Sequence, residues 1–243
     1  MATCMKAILF PGCAANDLVQ GLGDLWFRIL NKIFTDVDYL KERICCGMPF
    51  LLSGRYEQAA KCGEKLLSFV ENYDILITGC PSCYRMLKYF YPEKLGISSK
   101  IEVLHLVNAL YDSIRTKKIT PEKPVRIRVT YHDPCELCRH MKICDEPRYI
   151  LNSIPGLDFV ELEMNRSEST CCGGGGLMRV LYPRISQEIA ISKILNEVAP
   201  LYVSAIVTSC PFCKYVFEDA INFIGSSIRV MDISEIVLMA IGG

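Results

Sequence analysis

The sequence predicts an α/β fold in two similar halves, each built on a parallel sheet. Short apolar runs alternate with amphipathic helical patterns along the chain, which is typical of parallel strands joined by helical connections. Ten of the 14 cysteines form one pattern that occurs twice. The segment 115–128, which is charged and holds two prolines, lies between the two copies and has the composition of a linker. We therefore predict two domains, residues 1–118 and 119–243.

Four apolar runs have the length and side-chain bias of buried parallel strands. They are residues 7–10, 75–78, 128–131 and 205–208. In the first half, the segments 18–33 and 56–70 keep their apolar residues on one face at helical spacing. Near the end of each half comes one more apolar run followed by an apolar helix, at 101–114 and at 228–241. This common order of elements predicts two pseudo-symmetric, Rossmann-like halves with parallel sheets.

The cysteine pattern consists of a single cysteine, then Cys-Cys-Gly, then Cys-Pro-x-Cys. Its first copy is Cys13, Cys45, Cys46, Cys80 and Cys83, and its second copy is Cys135, Cys171, Cys172, Cys210 and Cys213. The gaps are 31, 33 and 2 residues in the first copy and 35, 37 and 2 in the second. Each copy thus gathers five thiols, one more than a tetrahedral zinc ion takes.

The predicted fold brings the thiols of each copy to one edge of a sheet. All four predicted strands lead into a cysteine, and open parallel sheets bind ligands at the carboxyl ends of their strands. Both Cys-Pro-x-Cys segments then open helices, whose positive ends favour the thiolate form that binds metal. Thiolate-rich sites at strand ends suit iron–sulfur clusters better than structural zinc, which stays open as an alternative.

The residues resemble one known family. Cys, Cys-Cys-Gly and Cys-x-x-Cys at these spacings resemble the cysteine-rich CCG domain of the B-type subunit of heterodisulfide reductase, of the C-terminal part of the D-type subunit, and of related iron–sulfur oxidoreductases. The segments 131–135 (YHDPC), 171–176 (CCGGGG) and 208–213 (TSCPFC) carry the resemblance further. It covers nearly the whole chain and implies two [4Fe–4S] clusters of the noncubane type, each held by the five cysteines of one copy.

The resemblance also implies a function. It predicts the iron–sulfur catalytic subunit of a heterodisulfide reductase-like complex, which reduces a disulfide of the CoM–S–S–CoB type, as in methanogenesis, to two thiols in one-electron steps at two clusters. A second possibility is an electron-transfer subunit of a complex that oxidises 2-hydroxy acids or succinate or is linked to a quinone. A third is a non-enzymatic subunit whose clusters stabilise the fold.

Two histidines and three glycines are further candidates for the site. His132 precedes Cys135 by three residues and His105 ends the predicted strand after Cys83. Either can supply a proton at its ordinary pKa, and a structural hydrogen bond is the alternative for both. Gly47, Gly173 and Gly174 lack a Cβ atom, so their backbone N–H groups can approach a cluster closely and donate to its sulfur.

Other residues near the second copy have less certain roles. Five basic side chains are candidates for holding an anionic substrate, with solvated surface charge as the alternative: Arg139, His140, Lys142, Arg148 and Lys214. Cys138 and Cys144 follow Cys135 closely, and we expect Cys138 to pack beside the site, with a spare ligand or a redox thiol as alternatives. Cys4 and Cys62 are expected to be small core residues.

Composition and missing motifs limit the partners. The net charge is zero, with 27 acidic and 27 basic residues, which offers no footprint for nucleic acid. No apolar run approaches the roughly 18–20 residues of a membrane span, and no signal-peptide core is present, so we expect a cytoplasmic protein. There is neither a GxGxxG segment after the first strand nor a ferredoxin-type cysteine run. We therefore expect a ferredoxin-type iron–sulfur subunit and a flavoprotein subunit as partners in a hetero-oligomeric complex.

Overall fold

A computed structural model describes residues 5–242. The chain divides into two compact units, of which the first ends at Ala109 and the second begins at Leu110. Each unit contains one four-stranded sheet in which all neighbouring strands are parallel. The predicted α/β fold with two similar halves is therefore confirmed.

The eight strands have the same spatial order in both units. In chain order they are β1 (Ala7–Leu9), β2 (Val37–Tyr39), β3 (Ile75–Thr78), β4 (Glu102–His105), β5 (Arg128–His132), β6 (Asp158–Phe159), β7 (Ala205–Thr208) and β8 (Arg229–Asp232). The first sheet has the order β2-β1-β3-β4 and the second the order β6-β5-β7-β8. The edge strands β2 and β6 were not predicted, because each has only two or three residues and neither is an apolar run.

Eleven α-helices connect the strands of the described chain. They are α1 (Leu22–Ile33), α2 (Met48–Leu52), α3 (Tyr56–Val70), α4 (Pro81–Arg85), α5 (Tyr91–Leu95), α6 (Leu106–Arg115), α7 (Glu146–Asn152), α8 (Met178–Leu181), α9 (Pro183–Lys193), α10 (Pro211–Ile224) and α11 (Ile233–Ile241). Short 3₁₀ turns also occur, at Arg166–Glu168 and Ala199–Leu201. Turns of π-helix are found at Ala14–Leu18, Met86–Phe90, Glu136–His140 and Ile194–Val198.

The central strands and the helical faces that cover them form the core. All residues of β3 and β7 are buried, as expected for parallel strands covered on both faces. Helix α1 buries Trp26, Ile29 and Leu30 completely. The Trp26 ring lies so close to Gly79 that a Cβ atom there would be 2.5 Å from it. This contact packs α1 directly against the residue that precedes Cys80.

The strand order places a switch point in each sheet. The chain leaves β1 for the edge strand β2 on one side and leaves β3 for β4 on the other, so β1 and β3 are the central neighbours. The same holds for β5 and β7 in the second sheet. Crevices form at such points, outside the carboxyl ends of the strands. The single cysteine and the Cys-Pro-x-Cys segment of each copy follow these two central strands.

The predicted linker is packed rather than free. Ile119 and Val125 are buried, and the N–H groups of Glu122 and Lys123 donate to the carbonyl of Ala240. The linker prediction rested on the charged residues of this segment and overlooked its two buried apolar side chains. The compact units separate earlier, inside α6, and the boundary after residue 118 stays a prediction about where the sequence repeat divides.

The apolar C-terminal helix belongs to the core of the second unit. Helix α11 buries Ile236 and Val237 fully, and an Asp232 capping box fixes its start. Among residues 5–242, no helix combines the length and the apolar character that a membrane span requires.

Candidate metal centres

The five cysteines of the first copy form one continuous series of side-chain contacts. Hydrogen bonds join the thiols in the order Cys13, Cys45, Cys46, Cys83 and Cys80. Cys46, Cys80 and Cys83 are buried, Cys45 is half-buried and Cys13 is exposed. The three inner thiols lie where β3 ends and where α2 and α4 begin, and the outer side of the site faces solvent.

The second copy repeats this series at corresponding positions. The thiols are joined in the order Cys135, Cys171, Cys172, Cys213 and Cys210. Again the last three are buried, while Cys135 is half-buried and Cys171 is exposed. The two sites thus share the order of contacts and the same division into three inner and two outer thiols.

Within each series the second thiol is strongly acidic. Hydrogen bonds from Cys13 and Cys46 lower the pKa of Cys45 to about 3, and those from Cys135 and Cys172 lower the pKa of Cys171 to about 2. The pKa of Cys13 is raised, chiefly because its thiol donates to Cys45. A metal or cluster bound here would displace these shared protons.

Backbone N–H groups support the acidic thiols. Gly47 donates to Sγ of Cys45 and Gly173 to Sγ of Cys171, each at 3.3 Å. Both glycines have positive φ, +89° and +85°, a conformation that side chains disfavour. Gly174 donates to Sγ of Cys172 at 3.5 Å. The predicted glycines therefore turn their N–H groups toward thiol sulfur, and their contact with a cofactor stays a prediction.

The donor set fits an iron–sulfur cluster. Each site offers five sulfur atoms, three of them buried, at the switch point of a parallel sheet. Cys80 and Cys210 are the N-cap residues of helices α4 and α10, and Cys83 and Cys213 lie in their first turns. Hydrogen bonds to the neighbouring thiols and burial raise the pKa of Cys83 and Cys213 well above its ordinary value. Soft thiolate sets of this kind suit iron–sulfur clusters and zinc, and the fifth thiol exceeds the need of zinc.

The two predicted histidines have different surroundings. His105 is fully buried and its Nδ1 accepts the N–H of Val107 at 3.2 Å, so it caps the start of α6. His132 is also buried, and a ring nitrogen lies within 4.8 Å of Sγ of both Cys172 and Cys213. Burial lowers the pKa of each histidine to about 3. Both rings are neutral near pH 7, and their predicted role as proton donors stays a prediction.

The surroundings of the two sites differ in polarity. Helices α3 and α9 can be aligned because each contacts the glycine that follows the Cys-Cys pair of its unit. Gly47 lies next to Ala59 and Cys62 of α3, and Gly173 lies next to Ser186 and Ile189 of α9. With this correspondence, three positions that are buried and apolar in the first unit carry polar residues in the second. The pairs are Phe10 and His132, Ile44 and Thr170, and Leu66 and Lys193.

Lys193 and Thr170 were not among the predicted site residues. Lys193 is buried, and its ammonium donates to Oγ1 of Thr170 at 2.6 Å and to Glu197 at 2.7 Å. A surface cavity of about 380 Å³ is lined in part by these residues and by Cys171. An alignment of the two halves of the sequence could have identified both residues, because it places Lys193 at the position of the buried Leu66.

Arg148 belongs to a buried ion-pair network next to the second site. Its guanidinium donates to both carboxylate oxygens of Asp133 at 2.8 Å and to Glu161 at 2.6 and 2.9 Å. Burial alone lowers the pKa of Arg148, but these hydrogen bonds raise it above its ordinary value. Asp133 also accepts the N–H of Arg166. Arg148 is therefore committed inside the protein, so the structure does not place it to hold a substrate.

Two other basic candidates are also engaged within the chain. Arg139 donates to the carbonyls of Ser167 and Ser169, and this ties the segment after Cys135 to the one before Cys171. Lys214 is buried and donates to the carbonyl of Val230. Lys214 also pairs with Glu218 at 2.9 Å and with Glu235 at 3.4 Å, so both charges are engaged within the same chain. His140 and Lys142 are exposed, the first at the end of the π-helical turn that follows Cys135 and the second just after it.

The additional cysteines lie outside both series of thiol contacts. Cys138 and Cys144 form a disulfide, and Cys138 is buried as expected. Cys138 is therefore joined to Cys144 and is not a free thiol, and a redox role for this pair stays a prediction. Cys62 is half-buried on α3, and burial raises its pKa. Cys4 lies outside the described residues.

Comparison with known proteins identifies related sequences. The model of the cysteine-rich domain family CCG matches residues 7–88 and 129–218. The chain is 36% identical over 232 residues to a subunit of the fumarate reductase (CoM/CoB) of Methanothermobacter marburgensis, covering 95% of this chain and 45% of that protein. It is 32% identical to a subunit of the dihydromethanophenazine:CoB–CoM heterodisulfide reductase of Methanosarcina barkeri, covering 97% and 59%.

A third relative is of nearly the same length. "Lactate utilization protein A" of Oceanobacillus iheyensis is 27% identical, with 96% of each chain covered. The chain spans about half the length of the first two relatives. The family model matches once in each unit, and the two matches together cover most of the chain. This protein therefore belongs to the CCG cysteine-rich domain family and carries two copies of the domain.

Proposed function

We propose that this chain is an iron–sulfur redox subunit with one cluster in each unit. The observation that carries the proposal is the repeated series of five contacting thiols at the switch points of two equivalent sheets. A bound iron–sulfur cluster supplies one-electron transfer. A second support is a set of relatives named as subunits of oxidoreductases.

The ten patterned cysteines are the proposed ligands. Contacts between successive thiols join all five cysteines of a site into one series. A cluster that uses five sulfur ligands therefore fits better than one that uses four. This favours the noncubane type of [4Fe–4S] cluster over an ordinary cubane. The inner thiols are held by strand ends and helix starts, and the outer two leave each site open on its solvent side.

We further propose that the reaction is the reduction of a small-molecule disulfide. The step consumes two electrons and two protons and yields two thiols, and two one-electron centres match that demand in number. The name of the Methanosarcina barkeri relative, a subunit of a CoB–CoM heterodisulfide reductase, supports this substrate class. His132 and His105 remain the proposed proton donors; because burial keeps both rings neutral near pH 7, each would relay a proton, accepting one at one ring nitrogen as it gives one up at the other. His132 is the better placed of the two, because His105 uses one nitrogen to cap α6.

Partner subunits are part of the proposal. Two relatives, of which this chain covers about half the length, are named as subunits, and this supports a hetero-oligomeric complex. We propose a ferredoxin-type iron–sulfur subunit or domain that delivers electrons and a flavoprotein from which they come.

A second candidate function is electron transfer without disulfide chemistry. The relative named lactate utilization protein A, which matches this chain end to end at 27% identity, favours it. In that case, the two sites pass electrons from a dehydrogenase to an acceptor. The two candidates differ in one measurable property, which is whether a disulfide oxidises the reduced chain.

The first experiment measures iron and sulfide in the anaerobically purified protein. Two clusters give about eight iron atoms per chain, and the Cys46→Ser variant is expected to lose about half of them. Cys62→Ser is the matched control, because this cysteine lies outside the series of contacts, and it should keep all its iron. Mössbauer spectra distinguish noncubane clusters from cubane ones. Absence of iron and sulfide from the native protein would refute both candidate functions.

The second experiment tests the reaction. The protein is reduced with dithionite, freed of excess reductant, and mixed with a panel of small disulfides or with a soluble quinone. Disulfide reduction predicts that one or more disulfides reoxidise the clusters and that two thiols appear per disulfide consumed. Reoxidation by the quinone but by no disulfide would favour electron transfer instead.

A further inference from the structure

We propose that the imidazole of His132 donates a hydrogen bond to a sulfur atom of the second cluster and makes that cluster easier to reduce than the first. The inference rests on the proposed function, since it requires a cluster in each unit. It assigns His132 a positioning and tuning role at the metal site and gives the two otherwise similar sites an order in electron transfer.

The position of His132 is the first argument. It is the last residue of β5 and only 1% exposed. Its ring meets the Phe217 ring edge to face, with centroids 4.8 Å apart and planes at 90°, and this contact fixes the ring plane. A ring nitrogen, Cys172 Sγ and Cys213 Sγ lie within 4.8 Å of one another. The imidazole therefore borders the inner part of the site.

The second argument is an unsatisfied polar atom. Within the described part of the chain, Nδ1 of His132 is buried and has no hydrogen-bond partner. Nε2 of His105 is buried and unpartnered as well, but it is His132 whose ring lies in one group with two cysteine sulfur atoms. Buried polar atoms are almost always paired, and each exception calls for an explanation such as a group that binds there. Sulfur atoms of a cluster held by Cys172 and Cys213 would supply the missing acceptor.

The third argument is the contrast with the first unit. Phe10 occupies the corresponding position, three residues before the first cysteine, and is equally buried. A phenyl ring cannot donate a hydrogen bond. Hydrogen bonds to the sulfur atoms of a cluster, together with its burial and net charge, set its reduction potential. Lys193 is buried where the first unit has Leu66, and it also makes the second site more polar than the first.

These observations give the two sites different roles. With a donor at the second site and none at the corresponding place in the first, the second cluster takes up an electron first. The exposed Cys171 and the cavity lined by Thr170 and Lys193 lie at this same site. The second site is therefore the one that holds the first electron.

The test exchanges the residues that the two units carry at this position. His132→Phe introduces the side chain that the first unit already tolerates, and Phe10→His is its reciprocal. His132→Asn restores an N–H donor of similar reach, and His105→Asn is the control for loss of a buried histidine elsewhere. The protein is labelled with ¹⁵N-histidine, which marks only 3 residues in this chain. Redox titration followed by EPR and pulsed nitrogen spectroscopy gives the readouts.

The expected result has three parts. His132→Phe keeps the iron content but lowers the reduction potential of one cluster and removes a ¹⁵N coupling from its reduced state. Phe10→His raises the potential of the other cluster, and His132→Asn recovers part of the loss. His105→Asn changes neither potential nor coupling.

Two results would overturn the inference while leaving the proposed function intact. One is a full iron content in His132→Phe with both potentials unchanged. The other is loss of iron from the second site with no ¹⁵N coupling in the native protein, which would show that His132 only packs. Absence of clusters from the native protein is a different result, and it would refute the proposed function together with this inference.

Discussion

Replacing Arg148 by methionine is expected to destabilise the second unit strongly. The substitution keeps an apolar stem of similar length but removes the charge that pairs with Asp133. The side chains of Arg148 and Asp133 are 5% and 1% exposed, so the carboxylate left behind cannot be solvated without rearrangement. Breaking a buried ion pair by removing one partner costs about 3–5 kcal/mol.

The structure indicates the lower end of that range. Asp133 keeps one hydrogen bond, from the N–H of Arg166 at 2.8 Å. Glu161, the second partner of Arg148, is 36% exposed and can exchange its lost contacts for water. We therefore expect a loss of about 3 kcal/mol in the free energy of unfolding.

Chemical denaturation under anaerobic conditions measures this loss, and Arg128→Met is the matched control. Arg128 also pairs with an aspartate, Asp158, at 2.6 Å, but these side chains are 44% and 54% exposed. An exposed pair contributes only about 0–1 kcal/mol. A second variant, Asp133→Asn in the Arg148→Met background, removes the stranded charge and should recover part of the stability.

Equal losses in Arg148→Met and Arg128→Met would refute this reasoning, because the Arg148 pair is both more buried and more extensively hydrogen-bonded than the Arg128 pair. Strict additivity of the Arg148 and Asp133 substitutions would refute it as well. In that case, the cost of Arg148→Met would come from lost packing and not from an unpaired carboxylate.

Two further substitutions test the surroundings of the second site. Gly174→Ala should cost about 1–3 kcal/mol of stability through overpacking, since its methyl would lie 2.7 Å from Val216. Gly175→Ala is the control, because a methyl there meets nothing within 4 Å. Chemical denaturation of both variants checks this, and equal stability would contradict it. Cys144→Ser should leave the iron content unchanged, because the Cys138–Cys144 disulfide lies outside the thiol series. Thiol titration of the unfolded native protein should then gain two thiols on prior reduction, and the variant should show no such pair.

The general fold could be predicted from the sequence because its signals are local and repeated. Buried parallel strands such as β3 and β7 are short apolar runs, and α1 carries a clear apolar face. The edge strands β2 and β6 could not be predicted, since an edge strand is stabilised by its neighbour more than by its own side chains. The switch point also needs strand order, which no local pattern contains.

The thiols of each site could be grouped in advance, but their order of contact could not. Spacing brings five cysteines to one sheet edge, whereas the contact of Cys46 with Cys83, and not with Cys13, depends on tertiary packing. The network around Arg148 was missed for a similar reason. A lone arginine looks like a surface charge until Asp133 and Glu161, 15 and 13 residues away, are seen to meet it.

The π-helical turns after Cys13 and Cys135 bear on how this family can vary. Both turns have five residues, although the gap to the next cysteine of the repeated pattern differs by four residues between the two copies, 31 against 35. Length variation has thus been absorbed in the connections farther along, while the turn beside the cysteine kept its size. A one-residue deletion within such a turn would restore ordinary helical winding and rotate the following side chains by about 100°. We infer that insertions and deletions accumulate away from the first cysteine, and that the register next to it is fixed by the geometry of the thiols.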